Sequence, residues 1–207
     1  VITLPDRSGS CGLKERIYPE AIRRELAEKV SFFETLASAD ELEPRREELR
    51  QVEVIFTTWG MLALSEGQIQ DYFPSLRAVF YGAGTVQGFA RPYLNRGVRI
   101  FSAASANAFP VAEYTAAQIV LANKGFFQAS RLYQKQEMKA ARAHAMAMPG
   151  NYGTKVGIIG AGMIGKRVIG LLKNYRLEIE VFDPFLPQDQ ADALGVCKTE
   201  LPELFSE

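Results

Sequence analysis

Apolar residues along this chain form short continuous runs that alternate with stretches of helical spacing. The runs after residue 50 predict three strands, Val52–Phe56, Leu76–Tyr81 and Val98–Phe101. Between them, Ser65 and Gln68 resemble a capping box before a short helix to Phe73, and Phe89–Asn95 predicts another helix. Strands that alternate with short helices are typical of a parallel, doubly wound sheet, so the pattern predicts an α/β fold.

The chain before these strands has a weaker pattern. Residues up to about position 16 include several turn formers, and we assign no element to them from the sequence. Pro19 suits the first turn of a helix that continues to Lys29. Glu41–Leu49 predicts a second helix, whose alternating charges indicate a solvated face.

From Pro110 the apolar spacing is helical again and continues, with a break near Gly125, to about Met146. Pro149 and Gly150 end this stretch. A helix of this length between two α/β segments predicts a crossover and hinge. We therefore expect two domains, residues 1–108 and 109–207.

A glycine-rich turn follows in the second predicted domain. Lys155–Ile159 predicts a buried parallel strand, Lys166–Lys173 a helix, and Ile179–Phe182 a second strand that ends at Asp183. The turn between the first strand and the helix consists of Gly160, Ala161, Gly162, Met163, Ile164 and Gly165. In this context the spacing G-x-G-x-x-G indicates a dinucleotide site, the alternative being a glycine turn that binds no nucleotide.

Each of these residues has a physical role in such a site. Gly160 permits the tight turn, Gly162 lets a pyrophosphate approach the backbone, and Gly165 allows close packing of the helix on the sheet. The free N–H groups of the first helical turn face the phosphate charge. Because the carboxylate of Asp183 can accept hydrogen bonds from both ribose hydroxyls and would repel a 2′-phosphate, NAD is predicted over NADP.

Composition excludes some other classes of function. Basic and acidic residues balance at 24 each in 207 residues, so no global charge favours nucleic acid or a membrane surface. No apolar run has membrane-spanning length. Cys11 and Cys197 form no C-x-x-C pair, so we expect a reducing, cytoplasmic setting without a disulfide framework or a metal site.

Taken together, the motifs resemble the D-isomer-specific 2-hydroxyacid dehydrogenases, the family of phosphoglycerate, glycerate and formate dehydrogenases. The resemblance covers the chain from about Val52 onward. Val156–Gly165 is similar to the family's cofactor signature, and Val181–Pro184 to the end of its second strand. Tyr81–Gly84 resembles the loop whose N–H groups hold the substrate carboxylate. Asn107 with Val111–Tyr114 resembles the start of the interdomain helix.

The resemblance implies a flavodoxin-like substrate-binding domain, then a long helix and a Rossmann dinucleotide-binding domain of which only the first half is present. It implies that the substrate is bound by Gly82, Ala83, Gly84, Thr85 and Asn107. It also implies that NAD is bound by Gly160, Ala161, Gly162, Met163, Ile164, Gly165, Asp183 and Pro184.

The implied reaction is hydride transfer between the nicotinamide and C2 of a small D-2-hydroxy or 2-keto acid. The family uses a His–Glu pair and an Arg, and all three are expected beyond Glu207. We therefore assign no catalytic residue within the chain and expect it to be inactive alone. The resemblance also implies a homodimer through the long helix.

Some residues depart from the family pattern. Arg176 stands where a Gly usually follows the cofactor helix, so it must adopt left-handed geometry or the helix must end differently. Asn151 and Tyr152 replace a Gly-x-Glu-Leu approach to the strand. His144, the single histidine, has no carboxylate at a suggestive spacing and is interpreted as a partly exposed helical residue.

Two other functions remain open. The chain could belong to a non-catalytic, corepressor-like module that binds NAD and passes a redox state to a partner. It could also be a structural or dimerising piece that uses only the long helix. Fold alone does not decide among these functions.

Overall fold

The computed structural model describes residues 2–3, 13–33, 35–36 and 38–206. Cys11 and most of the turn-forming segment at the start of the chain, residues 4–12, lie outside the described residues. The chain divides into two compact units, Val1–Asn107 and Ala108–Glu207. None of the described helices is both long and apolar enough to cross a lipid bilayer.

The first unit is a parallel sheet with helices between its strands. Its strands are β1 (Ile2–Thr3), β2 (Val54–Thr57), β3 (Ala78–Tyr81) and β4 (Arg99–Ser102). Its helices are α1 (Leu13–Ile17), α2 (Glu20–Ala27), a 3₁₀ turn at Ala39–Glu41, α3 (Arg46–Leu49), α4 (Glu66–Tyr72) and α5 (Ala90–Asn95). The strand order is β1-β2-β3-β4, with every pair parallel. This is the order that a flavodoxin-like sheet (2-1-3-4-5) would have without its second strand.

Strands β2, β3 and β4 begin one or two residues later than the apolar runs that predict them. The residues that precede the strands are buried and belong to the core, namely Val52, Leu76 and Val98. The same core contains Ile55 and Val79 from the sheet and Ile69 and Tyr93 from the helices. Burial of this apolar surface stabilises the unit.

The capping box at Ser65 is confirmed. The Ser65 hydroxyl accepts a hydrogen bond from the Gln68 N–H at 3.2 Å, and the Gln68 side chain accepts one from the Ser65 N–H at 3.0 Å. A cap of this kind stabilises a helix by about 1 kcal/mol.

The prediction of one continuous helix over Glu41–Leu49 is wrong, because the segment is interrupted. The 3₁₀ turn ends at Glu41, and α3 begins only at Arg46. Pro44 lies between them. Since proline has no N–H and disfavours helical geometry in the preceding residue, it separates the two elements.

The long helix begins earlier than predicted. Helix α6 comprises Ala104–Asn123, so Pro110 lies in its interior and not in its first turn. Its first bond runs from the Asn107 N–H to the Ala103 carbonyl, at 2.9 Å. The interior proline removes one helical hydrogen bond, and the signals that start the helix lie upstream of it.

The predicted break near Gly125 is confirmed, since Gly125 has a φ of 68°. A second break follows at Gln136, which also has positive φ. The helical stretch is therefore three helices and not one, because α7 (Phe126–Gln134) and α8 (Met138–Ala147) follow α6.

The second unit contains a three-stranded parallel sheet. Its further elements are β5 (Tyr152–Ile159), α9 (Met163–Leu172), β6 (Arg176–Phe182), α10 (Gln188–Leu194), β7 (Cys197–Lys198) and α11 (Leu201–Leu204). The strand order is β5-β6-β7. A βαβαβ arrangement in this order is one half of a doubly wound dinucleotide fold. The predicted α/β class with parallel sheets is confirmed, and α10 is an element that the sequence pattern did not predict.

The predicted burial of the first strand of this unit is wrong. Within β5 only Val156 is buried, and Ile159 is 60% exposed. The reason is that β5 ends the sheet and pairs only with β6 among the described residues. A first strand that is buried on both sides needs a fourth strand against it, as in the order 3-2-1-4-5-6.

The departures from the family pattern have structural explanations. Helix α9 ends at Leu172 with Lys173 in right-handed geometry, and Arg176 is a strand residue opposite Tyr152. The Arg176 guanidinium lies 5.5 Å from the Tyr152 ring centroid, within cation–π range. The Asn151 side chain bonds to Asn123 and to the Val120 carbonyl, which ties the end of α6 to the start of β5.

Candidate functional site

The carboxyl ends of the parallel strands of the first unit meet at one edge of the sheet. Thr57, Tyr81 and Ser102 end β2, β3 and β4 and lie in register across the sheet. Ligands of open α/β sheets bind at this edge.

The loop that follows β3 is anchored at Gly82. Its N–H donates to the Thr57 carbonyl at 2.7 Å, and the Tyr18 hydroxyl donates to the same oxygen at 2.8 Å. Burial raises the pKa of Tyr18 to about 12. A Cβ on Gly82 would lie 3.2 Å from the Ile17 side chain, so close packing is enough to explain this glycine.

Ser102 supports the same loop from the end of β4, and the sequence reasoning missed it. Its hydroxyl lies 3.0 Å from the Ala83 carbonyl and 2.5 Å from the Gly84 carbonyl. It also accepts a hydrogen bond from the Ala104 N–H at 3.2 Å, at the first residue of α6. The available signal was a serine at a strand end, two residues before a helix start.

The structure brings Asn107 next to this loop. Asn107 lies in the first turn of α6 and is half-buried. A Cβ on Gly84 would lie 3.1 Å from Asn107 Nδ2, so glycine lets the amide approach the loop. Thr85 continues the loop, and its hydroxyl accepts a long hydrogen bond from the Gln87 N–H at 3.5 Å.

The glycine loop of the second unit connects β5 to α9. Gly160 has a φ of 90°, and its N–H donates to the Phe182 carbonyl at 2.8 Å. A Cβ on Gly165 would lie only 2.0 Å from the Gly160 carbonyl oxygen, which leaves no room for a side chain. Gly162 is different, because a Cβ there would meet no described atom within 4 Å.

The first turn of α9 presents free backbone donors. The first bond of the helix runs from the Lys166 N–H to the Gly162 carbonyl at 3.0 Å. The N–H groups of Gly162, Met163, Ile164 and Gly165 precede that bond and have no partner in the described part of the chain. They and the helix dipole favour an anion beside Gly162, where space is open.

Asp183 lies at the end of β6 and contacts this loop directly. Its Oδ2 accepts the Ala161 N–H at 2.7 Å, and its Oδ1 accepts the Phe185 N–H at 2.8 Å. The hydrogen bond from Ala161, followed by that from Phe185, holds the pKa of Asp183 below its ordinary value. The carboxylate is therefore ionised and fixed beside the glycine loop.

The surroundings of Asp183 are open on one side. Phe185 is 91% exposed and follows Pro184 in the turn after β6. The Lys198 ammonium donates to the Leu186 carbonyl at 2.7 Å, and its positive charge also lowers the pKa of Asp183. The carboxylate also has lone-pair positions that can accept from other donors.

His144 is far from the glycine loop within the second unit. It is half-buried on α8, which leads into the amino end of β5. The glycine loop follows the carboxyl end of that eight-residue strand, roughly 25 Å along it. His144 lies instead near Gly125, where a Cβ would be 3.0 Å from its Nε2.

The second unit thus has the fold of one half of a doubly wound dinucleotide-binding domain. The comparisons with known proteins agree. Residues 116–207 match the family model described as D-isomer specific 2-hydroxyacid dehydrogenase, NAD binding domain. Over this segment the chain is similar to the NAD binding domain of that family, as the sequence motifs indicate.

One curated relative is the D-3-phosphoglycerate dehydrogenase of Methanocaldococcus jannaschii, 29% identical over 101 residues. That region covers 49% of this chain and 19% of the relative. The chain therefore spans only a small part of the curated relatives that it matches.

Solved structures show the same fold over the whole chain. A phosphoglycerate oxidoreductase from Rhizobium etli has a TM-score of 0.68 and 21% identity, with 100% of this chain and 62% of that chain covered. A D-lactate dehydrogenase from Aquifex aeolicus, complexed with NAD and lactic acid, has a TM-score of 0.70 and 18% identity. That match covers 100% of this chain and 57% of the other.

The different amounts of space around Gly162 and Gly165 give a first prediction. Gly165→Ala should lower the free energy of unfolding by about 1–3 kcal/mol, because the new methyl group meets a backbone oxygen. Gly162→Ala should change it by less than about 0.5 kcal/mol, because the position is open. Urea unfolding followed by circular dichroism measures both, and equal stabilities would contradict the described packing.

The Asp183 hydrogen bonds give a second prediction. A carbon-13 NMR titration should place the midpoint of the Asp183 carboxyl below the ordinary value of about 3.9. Because folding lowers this pKa, the stabilisation is present above the ordinary pKa and is lost as the pH falls through the lowered value. The Ala161 and Phe185 amide shifts should follow the same midpoint, and Asp183→Asn should abolish that dependence. A midpoint at the ordinary pKa would contradict the hydrogen bonds described for the Asp183 carboxylate.

Proposed function

We propose that this chain is part of an NAD-dependent oxidoreductase that acts on a small D-2-hydroxy or 2-keto acid. The second unit holds the adenosine diphosphate part of NAD, and the first unit holds the substrate carboxylate. The observation that carries the proposal is the glycine loop with four free N–H groups beside the fixed carboxylate of Asp183.

The loop geometry supports binding of a pyrophosphate. Gly162 has open space where a side chain would stand, and the donors of the first turn of α9 border that space. Met163 and Ile164 contribute backbone N–H groups only, so their side chains need no polar character. Their exposed side chains are consistent with this role.

The carboxylate of Asp183 supports NAD over NADP. Backbone donors take some of its lone-pair positions, and the remaining ones can accept the ribose hydroxyls. An ionised carboxylate at this point repels a 2′-phosphate. Pro184 directs the chain into the exposed turn that borders the same space.

The loop after β3 supports binding of a carboxylate. Ala83, Gly84 and Thr85 carry N–H groups without a partner among the described residues, and the Asn107 amide lies beside Gly84. Successive backbone donors of this kind form anion-binding concavities. Gly82 anchors the loop and contributes no free N–H.

Bound NAD would supply the hydride acceptor at the nicotinamide. The residues of this chain bind and orient, and we assign none of them a proton-transfer role. His144 lies before the amino end of β5, away from the glycine loop, so it is not a candidate for such a role.

We also propose a homodimer formed through the helical segment after α6. The exposed apolar side chains of α7 and α8 support this, namely Phe126, Phe127, Tyr133, Met138 and Met146. Exposed aromatic and methionine side chains on neighbouring helices are typical of an interface. The exposed free thiol of Cys197 suits a reducing, cytoplasmic setting.

Cofactor binding tests the proposal. Isothermal titration should give at least about tenfold tighter binding of NADH than of NADPH. Gly162→Val should abolish binding, because its side chain fills the phosphate space. Asp183→Ala should weaken NADH binding and reduce the preference over NADPH.

Gly170→Ala is the matched control, because it adds a methyl group to the same helix at a position with no contact within 4 Å. Its affinity should equal that of the unchanged chain. Unaltered NADH binding in Gly162→Val and Asp183→Ala would refute the proposed site. NADH binding without reduction of any small 2-keto acid by the intact protein would favour the corepressor-like alternative.

A further inference from the structure

Ser102 contacts two consecutive carbonyl groups of the loop after β3. Its hydroxyl oxygen lies 3.0 Å from the carbonyl oxygen of Ala83 and 2.5 Å from that of Gly84. Both distances are within hydrogen-bond range, so the hydroxyl proton is shared between the two carbonyls. The two peptide groups that contain these carbonyls therefore both direct their oxygen atoms toward Ser102.

The direction of the carbonyls determines the direction of the N–H groups. Both peptide bonds are trans, and in a planar trans peptide the N–H points opposite to the C=O. The Ala83 carbonyl shares its peptide with the Gly84 N–H, and the Gly84 carbonyl shares its peptide with the Thr85 N–H. Both N–H groups therefore point away from Ser102.

These two N–H groups are free in the described part of the chain. Two consecutive donors that point to the same side form a concavity for a small anion. Asn107 is close to the same peptides, since a Cβ on Gly84 would lie 3.1 Å from its Nδ2.

The remaining contact of Ser102 fixes the hydroxyl itself. Its oxygen accepts the Ala104 N–H at 3.2 Å, which directs the hydroxyl proton toward the loop. A backbone donor of α6 thus orients Ser102, and Ser102 orients the loop.

We propose that Ser102 is a positioning residue of the carboxylate site, which holds the Gly84 and Thr85 N–H groups toward the substrate carboxylate. The proposal rests on the proposed function of this loop. Ser102 does not touch the substrate, because it lies on the carbonyl side of both peptides. Only an oxygen at this position, and not the size of the side chain, is required.

Two variants and a matched control test the proposal in the 207-residue chain. Ser102→Ala removes the hydroxyl, and Ser102→Thr retains it at an exposed position with room for a methyl group. Ser65→Ala is the control, because it removes another serine that accepts a helix N–H but does not contact the loop. Both Ser102→Ala and Ser65→Ala therefore remove a hydroxyl at the start of a helix, but only Ser102→Ala removes the contact with the loop.

The first measurement needs no ligand. Nitrogen-15 relaxation should show that Ser102→Ala increases the fast motion of the Gly84 and Thr85 amides. Ser102→Thr and Ser65→Ala should leave these amides as rigid as in the unchanged chain. Equal rigidity in all four proteins would overturn the proposal.

The second measurement uses oxalate as the carboxylate probe. Oxalate should shift the Gly84 and Thr85 amide resonances of the unchanged chain, and Ser102→Ala should raise the dissociation constant about threefold to tenfold. Ser102→Thr should restore the affinity. If oxalate shifts neither amide, the carboxylate site is refuted and this proposal with it. NADH binding to the second unit would be unaffected by that result, so the two failures are distinguishable.

Discussion

The close approach of α9 to the Gly160 carbonyl is the constraint on which the second unit depends. With 2.0 Å between that oxygen and a Cβ at Gly165, the helix can start there only if the residue has no side chain. This approach brings the free N–H groups of the first helical turn against the end of β5. It also brings Ala161 within 2.7 Å of the Asp183 carboxylate, which joins the ends of β5 and β6. The close packing of the backbone therefore also groups the free N–H donors of the first helical turn, an arrangement that favours an anion.

The first unit also has free backbone N–H groups at the end of a strand, but different contacts orient them. Its loop after β3 has no helix start to supply donors, so side chains orient the peptides. Tyr18 and the Gly82 N–H share the Thr57 carbonyl at one end of the loop, and Ser102 holds two carbonyls near the other. In both units the candidate site residues lie at the carboxyl ends of parallel strands, where the described residues leave backbone donors unpaired.

The sequence predicted the parts of the structure that depend on local patterns. Strands β2 to β6, the capping box at Ser65, the break at Gly125 and the glycine loop all follow from apolar runs or from residues with special backbone geometry. The interruption at Pro44 and the early start of α6 were not predicted. Their local signals are weak, and the prediction followed the apolar spacing instead. The exposure of β5 and the contacts of Ser102 could not be predicted, because they depend on which strands and peptides become neighbours in space.

The central claim is that the glycine loop and Asp183 bind the adenosine diphosphate part of NAD. A titration of the isotope-labelled chain with ADP-ribose, followed by amide and carboxyl NMR shifts, tests it most directly. We predict saturable shifts at Gly162, Gly165 and the Asp183 carboxyl, with no change at the capping box of Ser65. The absence of any shift at these three positions, or saturable shifts only elsewhere, would contradict the account.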